Sequence, residues 1–301
     1  MRGIFVYAKG NSIDKKAFFL LIVLSFIWGY NWVLMKQAIS YMPELYFAFF
    51  RTIFGAFLLF GILAFNKKSL KITHFKYVSI LGLLQTTGFV GLTILALKFA
   101  KAGKTAILVY SMPFWLVLFS WKILKETPDR KEIISNVVAF LGLFLVLEPW
   151  EMMGNKGFLG DALAVLSGIS WAFAVIWQKR HHNLNTDIVS LNAWQMLIGS
   201  IGILICALMF ERFYMKFSYF LLFAIFYNAV LANALAWVIW SYAIKRLPSG
   251  FMGLTMLTTP VIGMISSMII LKERMDFYEI VGSSFILLGL LINTLDHIRK
   301  A

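Results

Sequence analysis

Two copies of one pattern lie 147 residues apart in this chain, and no gap is needed to align them. Gly103, Pro113, Leu124-Lys125-Glu126, Glu132-Ile133 and Gly142-Leu143 recur as Gly250, Pro260, Leu271-Lys272-Glu273, Glu279-Ile280 and Gly289-Leu290. Ala96 and Lys98 recur upstream as Ala243 and Lys245. Both copies sit in strongly apolar sequence. The fold must therefore offer each half of the chain an equivalent environment.

Hydrophobic residues make up 60% of the 301 positions and charged residues 14%. Soluble domains average about 45–50% and about 25%. The apolar residues form runs of membrane-crossing length. Ten runs can be drawn: 17–37, 45–65, 75–97, 103–123, 133–149, 158–178, 188–210, 217–243, 248–271 and 277–295. They are continuous rather than alternating, which argues against a transmembrane barrel. The first run is too long for a signal peptide and lacks a small-residue cleavage site. The pattern predicts an all-α integral membrane protein of ten transmembrane helices. Residues 1–150 would form the first five-helix repeat and 151–301 the second. Five is odd, so the second repeat enters the membrane from the opposite side and the repeats are inverted.

The net charge of +14 would suggest nucleic acid in a soluble protein. Here Lys and Arg collect in alternate loops. The loops on the side of the N-terminus carry about twice as many as the others. The positive-inside rule then predicts both termini in the cytoplasm and an inner-membrane location. Lys98, Lys101 and Lys104 run against this trend. Cys206 is the only cysteine, so neither an intrachain disulfide nor a thiolate metal site is expected.

The fourteen acidic residues fall in loops or at the ends of runs. With no carboxylate near mid-membrane, a dedicated proton relay is not expected. His74, His181, His182 and His297 lie in loops or near a terminus, and no metal site is read from them. Gly103-Lys104-Thr105 resembles the end of a phosphate-binding loop, but Lys98 stands where that motif needs glycine. No cofactor is expected, and no His–Asp or paired-carboxylate set suggests an enzyme.

The polar residues inside the runs are neutral. Asn31, Gln85-Thr86-Thr87, Tyr110-Ser111, Gln195, Asn228, Asn233, Thr255, Thr258 and Thr259 occur at similar depths in both halves. Each could be an interhelical hydrogen bond, worth about 0.6 kcal/mol. Together they suggest a polar cavity, because an amide facing lipid leaves donors unsatisfied. Trp28 and Asn31 share a helical face. Trp171 is the counterpart of Trp28 at a local offset of 143, where Lys36 also meets Lys179. The candidate substrate-binding residues are Trp28, Asn31, Gln85, Tyr110, Trp171, Gln195, Asn233 and Thr259. Pro113 and Pro260 are candidate helix bends. Arg51 is the one charge well inside a run. It reads either as a side chain snorkelling outward or as an anion contact. Glu44, seven residues earlier, lies on the same face.

These residues resemble the EamA family of the drug/metabolite transporter superfamily. Trp28-Gly29-Tyr30-Asn31-Trp32 with Lys36 is like the family's opening helix, and Phe50-Arg51 is like its second entry motif. The runs from Gly103 through Pro113 to Glu126 and Gly142, and from Gly250 through Pro260 to Glu273 and Gly289, are like its repeat ending. Lys125 and Lys272 stand where the family commonly has glycine, and Trp171-Ala172 replaces a Trp-Gly pair. The resemblance implies a ten-helix carrier of small metabolites, often an exporter of amino acids or related compounds. Its partners would be a small-molecule substrate and the lipid bilayer, not nucleic acid, with the protein acting as a monomer or homodimer. An uptake facilitator or exchanger, a channel and a membrane-embedded enzyme are the alternatives.

Overall fold

A backbone in hydrocarbon has no water to bond, so each apolar run must satisfy its own amides by forming a helix. The computed structural model describes residues 14–148, 157–181, 183, 184, 186–244, 246, 247 and 249–300. His182, and the side chains of Thr255 and His297, lie outside this description. The crossings, in chain order, begin with Lys15–Ala38, Glu44–Phe65, Phe75–Phe99, Ala102–Ile123 and Arg130–Leu147. Gly157–Arg180, Ile188–Phe210, 219–244, Ser249–Ile270 and Phe277–Lys300 follow. Eight are long and apolar enough to cross a membrane by themselves. In the ninth, Leu257–Ile270 is apolar. The fifth has 18 residues and carries its charges in its first turn.

Helix starts are set by local chemistry. Asp14 accepts hydrogen bonds from the amides of Lys16 and Ala17, both at 3.0 Å. Asp129 and Glu132 form a reciprocal capping box at the fifth crossing. Asp187 and Ser218 cap the seventh and eighth.

The packing repeats with the sequence. The first crossing lies against the ninth, and the sixth lies against the fourth. The third packs on the seventh and sixth, as the eighth packs on the second and first. The second pairs with the seventh, the fifth with the tenth, and the fourth with the ninth. Exchanging every crossing with the one five places on leaves this set of neighbours unchanged. That is the signature of two like five-helix units, and the odd number of crossings in each inverts one relative to the other. The third and eighth crossings each contain a π-helical stretch, Gly82–Gly91 and Tyr227–Leu235, at overlapping repeat positions.

The two proline-bearing crossings differ. The fourth is interrupted at Tyr110-Ser111, just before Pro113, and restarts at Met112. There the Ser111 hydroxyl donates to the Leu108 carbonyl at 2.6 Å. The ninth runs as one helix through Pro260.

Lys125 and Lys272 have φ of 58° and 57°. The amides of Glu126 and Glu273 reach back to the carbonyls of Ser120 and Ser267, both at 3.4 Å. Each helix therefore ends in a left-handed residue whose next amide bonds six positions back, and that left-handed conformation favours glycine. Lys125→Gly and Lys272→Gly should each raise stability by about 0.5–1 kcal/mol. Parallel melting curves of the purified variants in detergent check this, and a lower midpoint would contradict it.

Ion pairs tie both ends of the bundle. At the end holding residues 14 and 300, here the terminal end, Lys68 meets Asp187 at 2.6 Å, Lys131 meets Asp296 at 2.7 Å and Lys179 meets Glu126 at 3.0 Å. At the far end Lys98 meets Glu44 at 3.0 Å, Lys101 meets Glu279 at 2.7 Å and Lys104 meets Asp161 at 2.9 Å. The far-end lysines are neutralised by acids from distant parts of the chain, so they do not act as a free positive loop.

Glu211 also lies at the far end, past the seventh crossing, and its carboxylate accepts from the Leu45 amide at 3.0 Å. Burial, with the neighbouring Glu44 carboxyl adding to it, pushes Glu211 up to about 7. A raised acid binds its proton more tightly folded than unfolded, so stability should fall as pH rises from about 4.5 to 7. Melting temperatures across that window should decline, and Glu211→Gln should flatten the decline. An unchanged slope in the variant would assign the effect to another group.

Candidate functional site

Mid-bundle, a cavity of about 70 Å³ opens between the crossings of the two repeats. Trp28, Asn31, Trp32 and Met35 line it from the first crossing, and Arg51 and Thr52 from the second. The third crossing supplies Gln85, Thr86, Phe89, Val90 and Thr93, and the fourth supplies Tyr110. The second repeat adds Trp171 from the sixth crossing, Gln195 and Met196 from the seventh, and Ala232, Asn233 and Trp237 from the eighth. The α-helical spacing of Trp28, Asn31, Trp32 and Met35 explains why one face of the first helix contributes all four.

Seven of the eight candidate residues surround this one space. The eighth, Thr259, does not line it but is buried and hydrogen-bonded to Tyr110, which does. Pro113 and Pro260 do not line it. Trp32, Met35, Phe89, Met196 and Trp237 were not among the candidates. Trp32 and Met35 were legible as the next helical positions beyond Trp28 and Asn31. Phe89, Met196 and Trp237 give no signal that separates them from ordinary core.

The aromatic walls come in two related sets. Trp28, from the first repeat, packs on Trp237 and Trp240 of the second, with centroids 6.0 and 5.7 Å apart. Its indole Nε1 donates to the Ala232 carbonyl at 3.0 Å, within the π-helical stretch. Trp171, from the second repeat, stacks on Phe89 of the first at 4.7 Å and 24°. Tyr110 meets the Trp171 ring edge-on at 5.9 Å. Each tryptophan is thus both packing and cavity wall, held by the opposite repeat.

The amides are buried, and most are anchored. Gln178 donates to Gln85 Oε1 at 3.0 Å, and Thr86 donates to Gln195 Oε1 at 2.7 Å. Asn233 donates to the Arg51 carbonyl at 3.0 Å. These are the interhelical bonds that neutral polar residues supply in a membrane. Asn31 differs: its Oδ1 is buried and has no hydrogen-bond partner.

Arg51 does not snorkel. It is 6% exposed, and its Nη1 meets Met35 Sδ at 3.0 Å inside the cavity wall. Glu44 is not its partner but pairs with Lys98. Among the described residues lining the cavity, none is a carboxylate or a histidine. At the far end, Glu148, Asp276 and Glu279 could by spacing hold a metal ion, but Lys101 and Lys104 already engage Glu279.

Known proteins share this build. The uncharacterized transporter YoaV of Bacillus subtilis is 27% identical, over 93% of this chain and 97% of its own. YvbV of the same organism is 28% identical, over 94% and 93%. A protein of Salmonella typhimurium named as a probable amino-acid metabolite efflux pump is 24% identical, over 93% and 95%. One solved crystal structure superposes with a TM-score of 0.68 at 16% identity, covering 96% of this chain and 99% of the other, which is a likeness of fold. The pattern of the EamA-like transporter family fits twice, over residues 15–148 and 158–295. One family unit per five-helix repeat accounts for nearly the whole sequence, and the chain belongs to the EamA-like transporter family, within the drug/metabolite transporters.

Proposed function

We propose that this transporter exports a small metabolite, an amino acid or related compound, by alternating access around the central cavity. The observation that carries the reading is the cavity itself. It lies between two inverted repeats, and Trp28 and Trp171 are each packed against the repeat to which they do not belong. Rocking one half, 1–150, against the other, 151–301, would move both walls together. At about 70 Å³ the cavity has room for only a few water-sized groups, so a substrate would bind as it widens. The terminal end would face the cytoplasm of a bacterial inner membrane. A relative named as an amino-acid metabolite efflux pump supports export of such compounds.

Purified protein in liposomes, challenged with a panel of amino acids and their derivatives, should show saturable flux accelerated by substrate on the opposite side. Non-saturating flux would indicate a channel. Asn31→Leu and Gln85→Leu should each weaken apparent affinity by about 2- to 13-fold while leaving folded protein in the membrane. Lower yield with unchanged turnover per folded molecule would instead make these amides structural. With no acid or histidine in the wall, flux should respond weakly to a pH gradient, and a steep obligatory dependence would contradict the reading.

A further inference from the structure

An arginine stays charged in a protein, and a buried charge needs a partner. Arg51 lacks one. It is 94% buried (6% exposed), its Nε has no hydrogen-bond partner, and no carboxylate lies within ion-pair distance of it among the described residues. Its Nη1 contact, Met35 Sδ, is a weak neutral acceptor. The helix is anchored at this position, because the Arg51 carbonyl accepts from Asn233 across the repeat boundary. The cavity beside it is otherwise neutral and aromatic. One turn from Met35, Asn31 presents the buried Oδ1 that also lacks a partner.

We infer that Arg51 is the counter-ion for the substrate, and that the substrate is a small organic monoanion: a carboxylate on an apolar or aromatic body. The inference rests on the cavity being the transport site, and it narrows the amino-acid-like class. A bound monoanion leaves the cavity electrically neutral. A cation would add like charge beside the guanidinium. A zwitterion would bring an ammonium group with no carboxylate to receive it. The anion's oxygens take the fork of the guanidinium, which suits a carboxylate better than a lysine would. Asn31 Oδ1 then accepts a donor on the substrate body, such as an amide or hydroxyl. Trp28, Trp171 and Phe89 enclose the apolar part.

The test uses the full-length protein in detergent and four probes on one phenyl body. They are 3-phenylpropanoate and N-acetylphenylalanine as monoanions, phenylalanine as zwitterion, and 3-phenylpropanamide as neutral isostere. Thermal-shift titrations should rank both monoanions at least about tenfold tighter than the amide and the zwitterion. In Arg51→Gln that preference should collapse to within about threefold, and in Arg51→Lys it should survive in part. If Arg51→Gln does not fold, the wild-type ranking and Arg51→Lys still decide. Equal or tighter binding of phenylalanine or the amide to wild type overturns the inference but leaves a carrier of neutral solutes standing. An unchanged anion preference in folded Arg51→Gln overturns it as well. Saturable flux abolished by blocking a site other than this cavity would overturn the underlying reading instead.

Discussion

Lys104→Met should lower the stability of the folded protein by about 3–5 kcal/mol, the largest effect expected of any single exposed-end substitution. Lys104 has 11% side-chain exposure and sits 2.9 Å from Asp161, 3.6 Å from Glu279 and 3.7 Å from Glu148. Those acids are 5%, 3% and 9% exposed. Removing the cation leaves the buried Asp161 without its ion-pair partner and takes positive charge from beside Glu279 and Glu148. The loss exceeds what the pairs contribute intact, because desolvated charge without a partner is the costly state. Lys68→Met is the control. Its pair with Asp187 is 52% and 40% exposed, and such pairs contribute about 0–1 kcal/mol. Melting midpoints in detergent should therefore separate the two variants widely. Adding Asp161→Asn to Lys104→Met should restore part of the loss. Equal midpoints for the two single variants would mean that the far-end cluster is hydrated and weak.

Gly199→Leu should be nearly as damaging, by a different route. A side chain at Gly199 would meet the Gly82 carbonyl at 2.5 Å and Thr86 Cβ at 2.3 Å. Gly82 faces the reciprocal obstacle, with the Gln195 carbonyl 2.6 Å from where its own Cβ would stand. The third and seventh crossings touch backbone to backbone here, and only glycine permits that approach. Leucine would wedge them apart. The same movement would pull Thr86 from Gln195 and Thr87 from the Gly199 carbonyl, bonds of 2.7 and 2.8 Å. Overpacking costs about 1–3 kcal/mol where side chains can yield, and more where a carbonyl blocks the way. Gly61→Ala is the matched comparison, since nothing lies within 4 Å of its added methyl. It should be neutral or stabilising by up to about 1 kcal/mol. Recovery of monodisperse protein for Gly199→Leu at the level of Gly61→Ala would refute this account.

Much of the architecture could be read from the chain because hydrophobic length and internal repetition are linear signals. The run from 17–37 became Lys15–Ala38, and the run from 188–210 matches Ile188–Phe210. Helix irregularity left no such trace. The π-helical stretches of the third and eighth crossings have compositions that fit an α-helix equally well. Proline was a partial guide: the helix breaks beside Pro113 and runs on through Pro260. Polarity inside an apolar run pointed to the cavity, since an amide has few other places to go. Partners were the unreadable part. Spacing offered Glu44 to Arg51 along one helix face, whereas the fold gives Glu44 to Lys98, which stands on another crossing. Lys98, Lys101 and Lys104 looked like misplaced positive charge because Glu279 and Asp161 are far away in sequence.

A lone guanidinium in a cavity without acids also bears on energetics. If Arg51 carries a monoanion outward, as the proposed export requires, the protein's own charge returns in each cycle and one negative charge leaves the cell. An interior-negative membrane voltage then drives the export step by about 2.3 kcal/mol for every 100 mV. That corresponds to an accumulation ratio of about fifty per 100 mV. Such a carrier needs no coupled ion, because the electric field itself rectifies its cycle.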